Sequence, residues 1–162
     1  MATIVLWLLN INLGVAFGAG LYESRIVVPQ WLMTSPGSGT RWNAAAARHA
    51  DVGLRFWVYV TTIPLTVLIV ASVIAARWAP QPVRWWWLIA CAVAMIDRIM
   101  TFAYFIPTMI TLMREGALSD AAAVSKARQW AAFGYVRLAV TLIAWLAAMM
   151  ALSITPLCAS TR

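Results

Sequence analysis

Residues 3–31 read TIVLWLLNINLGVAFGAGLYESRIVVPQW, and this stretch decides the fold class. The part from Thr3 to Leu21 is almost entirely apolar. A helix that crosses the hydrocarbon core of a bilayer needs about 20 such residues. The run exceeds the roughly 7–15 apolar residues of a signal peptide, and no Lys or Arg precedes it. The sequence therefore predicts a retained membrane helix.

Three further apolar stretches follow this one along the chain. Hydrophobic residues make up 64% of the sequence and charged residues 10%, whereas soluble domains have about 45–50% and about 25%. The mean hydropathy is +0.83. We therefore expect an all-α, integral membrane four-helix bundle that lies in the lipid bilayer. It forms one domain, residues 1–162, with spans at about 3–22, 54–76, 85–113 and 131–154.

The predicted loops carry turn and capping signals. Loop 1, residues 23–53, contains Ser35-Pro-Gly-Ser-Gly39, and Thr40 predicts the N-cap of a helix that runs from Arg41 into span two. In loop 3, residues 114–130, Ser119 favours a helix start. Loop 2, residues 77–84, is short, and the tryptophans that follow it predict an interfacial belt that closes this side. These are Trp85, Trp86 and Trp87.

The net charge is +7, from 11 Arg and one Lys. The basic residues are scattered among the spans, so we exclude a nucleic-acid partner. Positive charge is concentrated in loops 1 and 3, which predicts that these loops are cytoplasmic. The preference for Arg over Lys is typical of GC-rich bacterial genomes, and we expect the bacterial inner (cytoplasmic) membrane. Cys91 and Cys158 have neither metal-site spacing nor a disulfide framework.

Polar residues recur at helical spacing on one face of each predicted span. Because lipid offers such groups no partners, we expect them to face the inside of the bundle. The result is an interior polar cavity that opens toward loops 1 and 3. The four stripes are Asn12, Ala16, Ala19 and Glu23; Asp51, Arg55, Tyr59, Thr62 and Thr66; Asp97, Thr101, Tyr104, Thr108 and Thr111; and Trp130, Gly134, Arg137 and Thr141.

Two explanations of the buried charges are open. Glu23 with Arg55, and Asp97 with Arg137, are structural ion pairs in the first explanation. In the second they form a functional cavity. Polar contacts between membrane helices average only about 0.6 kcal/mol, whereas a charge at the bilayer centre costs at least ~2.5–3.5 kcal/mol. Ser or Thr would hold the helices together at a lower cost, so we favour the functional cavity.

Proline and glycine positions predict local departures from straight helices. Pro64 and Pro107 lie inside spans and indicate kinks, which either widen the cavity or serve packing alone. Gly14 and Gly18 form a G-x-x-x-G step. That step allows close helix packing inside the bundle or at the face of a homodimer.

His49 is the one histidine of the chain. With Glu23 and Asp51 it forms a weak candidate set of ligands for iron or copper. A histidine at a membrane mouth also serves as a hydrogen-bonding or proton-transfer group. A site without any cofactor is the other open alternative. The sequence has no nucleotide-binding, phosphoryl-transfer or nucleophile-elbow motif.

Three segments resemble a known family. Residues 18–31 (GAGLYESRIVVPQW), 101–112 (TFAYFIPTMITL) and 129–140 (QWAAFGYVRLAV) are similar to the small four-helix membrane family of unknown function 1772. That family includes proteins labelled anthrone oxygenases. The resemblance covers nearly the whole chain by span order, and its motifs are soft. Trp130, Arg137 and Pro107 match the family in kind, whereas the pair Glu23 and Arg25 is less certain as a family feature.

The resemblance implies oxidation of a polycyclic aromatic, typically an anthrone to an anthraquinone, with O2 as co-substrate. Such a site needs a base, cations or hydrogen-bond donors for the oxyanion, and apolar walls. Asp97 or Glu23 is the candidate base, with His49 as a further candidate. Candidate substrate-binding residues are Arg25 at the mouth, Arg55, Arg98 and Arg137 for the oxyanion, Tyr59 and Tyr104 as donors, and Trp31, Trp57 and Phe102 as walls.

Two other functions use the same cavity. A carrier or small transporter would move an anionic aromatic or a lipid, and it would need openings on both sides of the membrane. An accessory subunit would stabilise a partner complex. The loop 2 side carries no acidic residue and is closed by tryptophans in this interpretation, which favours a one-sided pocket.

Overall fold

A computed structural model describes residues 2–35, 39–114 and 116–159. For residues 33–35 and 156–159 it describes the backbone only. Within these residues the chain forms five helices, and four of them are long and apolar enough to cross a membrane. Each of the four is longer than the apolar stretch that predicted it. The elements are α1 (Ala2–Trp31), β1 (Leu32–Ser35), β2 (Gly39–Trp42), α2 (Ala44–Ala50), α3 (Gly53–Ala76), α4 (Gln81–Met113) and α5 (Asp120–Ala159).

The four long helices form a ring in the order α1, α3, α4, α5. The most extensive contact between two helices is that of α4 with α5. Alanines at a spacing of four residues line that contact on both helices. Ala90 and Ala94 of α4, and Ala144 and Ala148 of α5, are fully buried. Between membrane helices small residues permit close approach, and van der Waals contact replaces the hydrophobic effect as the driving force. This half of the molecule, toward loop 2, is the Ala-packed half.

The two glycines of the predicted G-x-x-x-G step do not both lie in a close helix contact within the bundle. A Cβ at Gly14 would lie 3.1 Å from the ring of Trp145, whereas a Cβ at Gly18 would meet nothing within 4 Å. The tighter approach is at Gly20, where a Cβ would lie 2.9 Å from Cδ2 of Leu138. Close packing of α1 therefore involves Gly14 and Gly20, and Gly18 faces open space.

The half toward loops 1 and 3 contains three segments of π-helix. They are π1 (Glu23–Val27), π2 (Gly53–Thr62) and π3 (Thr101–Phe105). Each segment ends two residues before a proline, namely Pro29, Pro64 and Pro107. A proline has no N–H for the carbonyl four residues earlier, and its ring crowds that carbonyl. The wider i→i+5 turn relieves this conflict. This half is the π half.

The kinks predicted at Pro64 and Pro107 thus take the form of π turns, and Pro29 adds a third. At the end of each segment a backbone N–H bonds five residues back, as from Ile63 to Val58 and from Ile106 to Thr101. Asn12 provides a hydrogen bond to one of the backbone carbonyls that Pro64 leaves without a donor. Its Nδ2 donates to the carbonyl oxygen of Val60, four residues before the proline, at 2.8 Å. Neighbouring helices commonly satisfy backbone groups that proline frees in membranes.

Loop 1 differs from the prediction at both ends. The first helix does not stop at Tyr22 but continues to Trp31, because π1 absorbs the polar residues without breaking the helix. Thr40 lies in β2 and caps no helix. Asn43 caps α2 instead, since its Oδ1 accepts the N–H of Ala46 at 2.9 Å.

The helix of loop 1 also does not run into span two. Asp51 is left-handed with φ of 43° and ends α2. The predicted turn at residues 36–38 lies outside the described residues. In loop 3, Ser119 caps α5 as predicted, with its Oγ 3.4 Å from the N–H of Ala122.

The hairpin and α2 are tied to the end of α4. Trp42 Nε1 donates to the carbonyl of Leu112 at 2.8 Å, and Arg48 Nη1 to that of Met113 at 3.1 Å. These donors satisfy carbonyls that the last turn of a helix leaves unpaired. The contacts hold loop 1 over the π half.

The opposite end is closed mainly by packing. Trp87 is 1% exposed and belongs to the core, so its predicted place in an interfacial belt was wrong. Trp85 and Trp86 are exposed, as a belt requires. Arg84 folds back and donates to the carbonyls of Ala79 and Arg77.

Candidate functional site

A cavity of about 300 Å³ lies in the π half. Its volume is at the lower end of the ~300–1,000 Å³ of small-molecule pockets. All three π segments contribute to its wall, through Glu23, Trp57 and Phe105 among others. The cavity and the wider turns therefore occur at the same level of three helices. The proline-ended segments therefore position the site.

The wall of the cavity is mostly apolar, with a few charged groups. This is the usual composition of a site for a hydrophobic ligand with defined orientation. Nine residues that the sequence predicted for the cavity line it: Glu23, Trp31, Asp51, Trp57, Thr62, Arg98, Thr101, Trp130 and Arg137. Apolar side chains around them include Leu54, Phe105, Ile106 and Ile110.

Glu23 is buried at the cavity and held by two groups from other helices. Trp57 Nε1 donates to its Oε1 at 2.9 Å, and Arg137 Nη2 lies 3.9 Å from its Oε2. The predicted ion pair of Glu23 with Arg55 was wrong, because Arg55 is exposed on the outside of the bundle. A buried carboxylate needs a cation or donors nearby, and α3 and α5 supply them.

Arg137 is positioned mainly by aromatic rings. Its Cζ lies 5.2 Å from the ring centroid of Trp57 and 4.4 Å from that of Phe105. Both distances are within the range of cation–π attraction. Within the described part of the chain, the guanidinium makes no hydrogen bond, and its ion-pair contact to Glu23 is long. Its N–H groups therefore stay available on the cavity side.

Asp97 and Arg98 form a second buried pair just behind the wall. Arg98 Nε donates to Asp97 Oδ2 at 3.0 Å, and Nη2 donates to the same oxygen. Thr141 Oγ1 donates to Asp97 Oδ1 at 3.3 Å. Asp97 and Arg137 form no direct salt bridge among the described residues, because Asp97 is bound by Arg98 and Thr141. An electrostatic attraction between Asp97 and Arg137 remains. Arg98 lines the cavity, and Asp97 does not.

Several predicted site residues lie away from the cavity. Arg25, His49, Arg55 and Tyr59 are exposed. In π2 the wider turn shifts each successive side chain, so the spacing of three and four residues no longer keeps Arg55 and Tyr59 on the inner face. Phe102 is also exposed and was wrong as a wall residue.

Tyr104 is half-buried but outside the cavity wall. Its ring packs against those of Phe105 and Phe133, with centroids 5.3 and 5.2 Å away. Its hydroxyl is buried and has no partner among the residues described. The donor role predicted for Tyr104 has no support from its position.

The weak metal-ligand set is not brought together. Glu23 and Asp51 line the cavity, whereas His49 is on the exposed surface of α2. In the described ranges no three side chains of His, Cys, Asp or Glu form a group that would hold a metal ion. Cys91 is a free, buried thiol of the Ala-packed half, and the side chain of Cys158 lies outside the description.

The cavity reaches the outer surface of the bundle. Leu54 of α3 and Ile110 of α4 line it, yet they are 53% and 55% exposed. Helices α3 and α4 pack closely in the Ala-packed half, whereas π2 makes its main contact with another helix at α1. The surface beside Leu54 and Ile110 is therefore the candidate entrance. Leu65, Ile69 and Trp87 belong to the packed core of the other half.

Phe105 is a wall residue that sequence reasoning missed. It carries the closer ring under Arg137. Trp130, from the predicted stripe of α5, packs on that ring at 5.6 Å, and its Nε1 donates to the carbonyl of Phe105 at 3.2 Å. No sequence signal singled out Phe105, because the carbonyl that Pro107 leaves without its usual donor is that of Ala103, four residues earlier.

Comparisons of the chain with protein-family models, with curated proteins and with solved structures find no match. The resemblance to the anthrone oxygenase-like family therefore stays a prediction from three sequence segments. The four candidate spans indicate a multi-pass integral membrane protein in contact with the lipid bilayer.

Proposed function

We propose that the protein is a small membrane oxidase that converts a hydrophobic, acidic aromatic of the anthrone type with O2. The observation that carries the proposal is the pairing of a carboxylate with a cation in one apolar cavity. Glu23 and Arg137 both line it, and aromatic rings surround them. A base beside an oxyanion partner is what proton removal next to a ketone requires.

The first step is proton transfer. An anthrone has a CH2 group conjugated with a ketone across two aromatic rings. The Glu23 carboxylate takes one proton from this CH2, and the electron pair moves to the ketone oxygen. Arg137 then donates to the resulting enolate oxygen with N–H groups that no other residue uses. Charge-assisted hydrogen bonds of this kind are strong in a low-dielectric site.

The second step consumes O2. The enolate passes one electron to O2, and the resulting radical and superoxide combine at the former CH2 carbon. The peroxide oxygen takes the proton back from Glu23. The Glu23 carboxylate then takes the remaining C–H proton as the O–O bond breaks. The C–H electron pair forms the second C=O bond, and the leaving hydroxide takes the proton from Glu23 and departs as water. One substrate and one O2 give one quinone and one water, and four electrons pass from carbon to oxygen.

The surroundings of the pair suit this chemistry. The rings of Trp57, Phe105 and Trp130 offer apolar surface to a flat molecule, and the candidate entrance admits it from lipid. The proposed reaction uses O2 as co-substrate. The proposal also includes the predicted topology, in which loops 1 and 3 lie in the cytoplasm of a bacterium. A transporter would need a second opening, where the packed core of the other half lies.

The test is oxidation of anthrone by the full chain in lipid nanodiscs. We expect anthraquinone to form faster than in empty nanodiscs, with one O2 consumed for each quinone and no free peroxide. An oxygen electrode and chromatography of the product measure both quantities. A rate equal to that of empty nanodiscs, for anthrone and for ring-hydroxylated anthrones, would contradict the proposal.

A further inference from the structure

Arg98 carries a buried donor that the protein itself leaves unused. The residue is 5% exposed, and its Nε and Nη2 both bind Asp97. Its Nη1 is buried without a partner among the residues described. Buried donors of charged groups are nearly always satisfied, and each exception needs an explanation. The Asp97 pair therefore accounts for only one edge of this guanidinium.

Arg98 also belongs to the cavity wall together with Arg137. Asp97 lies behind the wall, and Glu23 is 3.9 Å from Arg137, beyond hydrogen-bond distance. Two arginines with unused N–H groups thus line one mostly apolar cavity, which the carboxylates of Glu23 and Asp51 also line. Such an arrangement favours an anionic group on the ligand.

We propose that Arg98 forms an anion subsite of the cavity and that the ligand is an aromatic carboxylic acid. This inference rests on the proposed function, because it places the subsite in the substrate cavity. The substrate then has two acidic features: the CH2 that faces Glu23, and a carboxylate bound by Nη1 of Arg98.

The donor set fits a carboxylate better than a phosphate. Arg98 offers a single nitrogen, since its other two are bound to Asp97. One such nitrogen binds one oxygen of a singly charged group. A phosphate carries more charge and more oxygens, which need several donors when water is excluded. The other cation of the wall, Arg137, is assigned to the enolate oxygen in the proposed reaction, and most of the remaining wall is apolar.

The subsite would fix the orientation of the substrate. A carboxylate at Arg98 holds one edge of the ring system, so that the CH2 is presented to Glu23. A molecule without the carboxylate leaves the buried donor unpaired, and sites with buried polar groups reject such analogues strongly. Arg98 acts as a specificity-determining residue in this arrangement.

The test compares two probes that differ only in charge. Anthracene-2-carboxylate and the neutral anthracene-2-carboxamide are titrated into the full chain in phosphatidylcholine nanodiscs, with empty nanodiscs as the partition control. Anthracene fluorescence reports binding. We expect the carboxylate to bind about tenfold more tightly or more, as expected for loss of a buried charged contact.

The variant that tests the assignment removes both charges of the pair. Arg98→Gln alone would leave Asp97 buried and unpaired, which destabilises proteins strongly. Arg98→Gln together with Asp97→Asn avoids this, and we expect it to abolish the preference for the carboxylate. Arg25→Gln removes an exposed cation outside the cavity and serves as the matched control with unchanged preference.

The outcomes separate the subsite from the oxidase. Equal binding of the two probes, or a preference that persists in the double variant, overturns the subsite whatever the oxidation assay shows. A preference that the double variant loses supports the subsite. If anthrones are not oxidised in that case, the proposed oxidase fails and the anion subsite stands.

Discussion

The two halves of this bundle are built from the same four helices but in opposite ways. In the Ala-packed half, alanines at a spacing of four bring α4 and α5 into close contact. In the π half, three prolines produce wide turns, and a cavity of about 300 Å³ lies between the helices. Without a hydrophobic effect between membrane helices, packing geometry decides where they separate. The prolines therefore locate the site as much as the charges do.

Overpacking the Ala-packed half should have the largest effect on stability. Ala94→Leu inserts a branched side chain at a fully buried position that faces α5. We expect a loss of about 1–3 kcal/mol in the free energy of unfolding, because the helices have to move apart. Thermal or denaturant unfolding in mild detergent measures it.

Ala92→Leu is the matched control, since Ala92 is exposed on the same helix. We expect it to unfold like the wild type. Equal stability of the two variants would show that the alanines do not hold this half together.

Substitutions of two glycines of α1 should change the free energy of unfolding by a smaller amount. Gly18→Ala meets nothing within 4 Å, so it should gain up to about 1 kcal/mol of helix propensity. Gly20→Ala places a Cβ 2.9 Å from Leu138 and 3.6 Å from Trp57 at the edge of the cavity. We expect this displacement to cancel the gain. Unfolding of both variants side by side tests it, and equal stabilisation would contradict the close approach at Gly20.

The effects of substituting Asn12 and Pro64 on the free energy of unfolding should depend on each other, and they are the smallest effects expected. Asn12→Leu removes the donor to Val60, and we expect a loss of about 0.6 kcal/mol, the average for polar contacts between membrane helices. Pro64→Ala restores a backbone N–H that reaches this carbonyl. In that background Asn12→Leu should cost nothing. Additive losses in the double-mutant cycle would mean that Asn12 has another role.

The sequence predicted the coarse fold well because long apolar stretches have few alternatives in a membrane. It also predicted the stripe of α5 correctly, where Trp130, Gly134 and Thr141 are buried and Arg137 faces the cavity. That helix has no internal π segment in its described part, so the spacing of three and four residues holds.

The rest could not be predicted for physical reasons. Arg55 and Tyr59 point outward because π2 changes the turn, and a stripe assigned on an α-helical wheel cannot show that. The partners of Glu23 and Asp97 depend on the rotation of α4 and α5 about their axes. Phe105 gave no signal, since an apolar residue in an apolar span is indistinguishable from one that faces lipid.

The proposed oxidase depends on Glu23 as the base that removes a proton from the substrate in the π half. This role is measured by the rate of quinone formation by Glu23→Gln, which keeps an oxygen for the Nε1 donor of Trp57. Asp120→Asn, a change at an exposed carboxylate outside the cavity wall, is the control. We expect a loss of about 10²–10⁴-fold for Glu23→Gln, the usual contribution of a general base, and an unchanged rate for Asp120→Asn. If Glu23→Gln is folded and as active as the wild type, Glu23 is not the base.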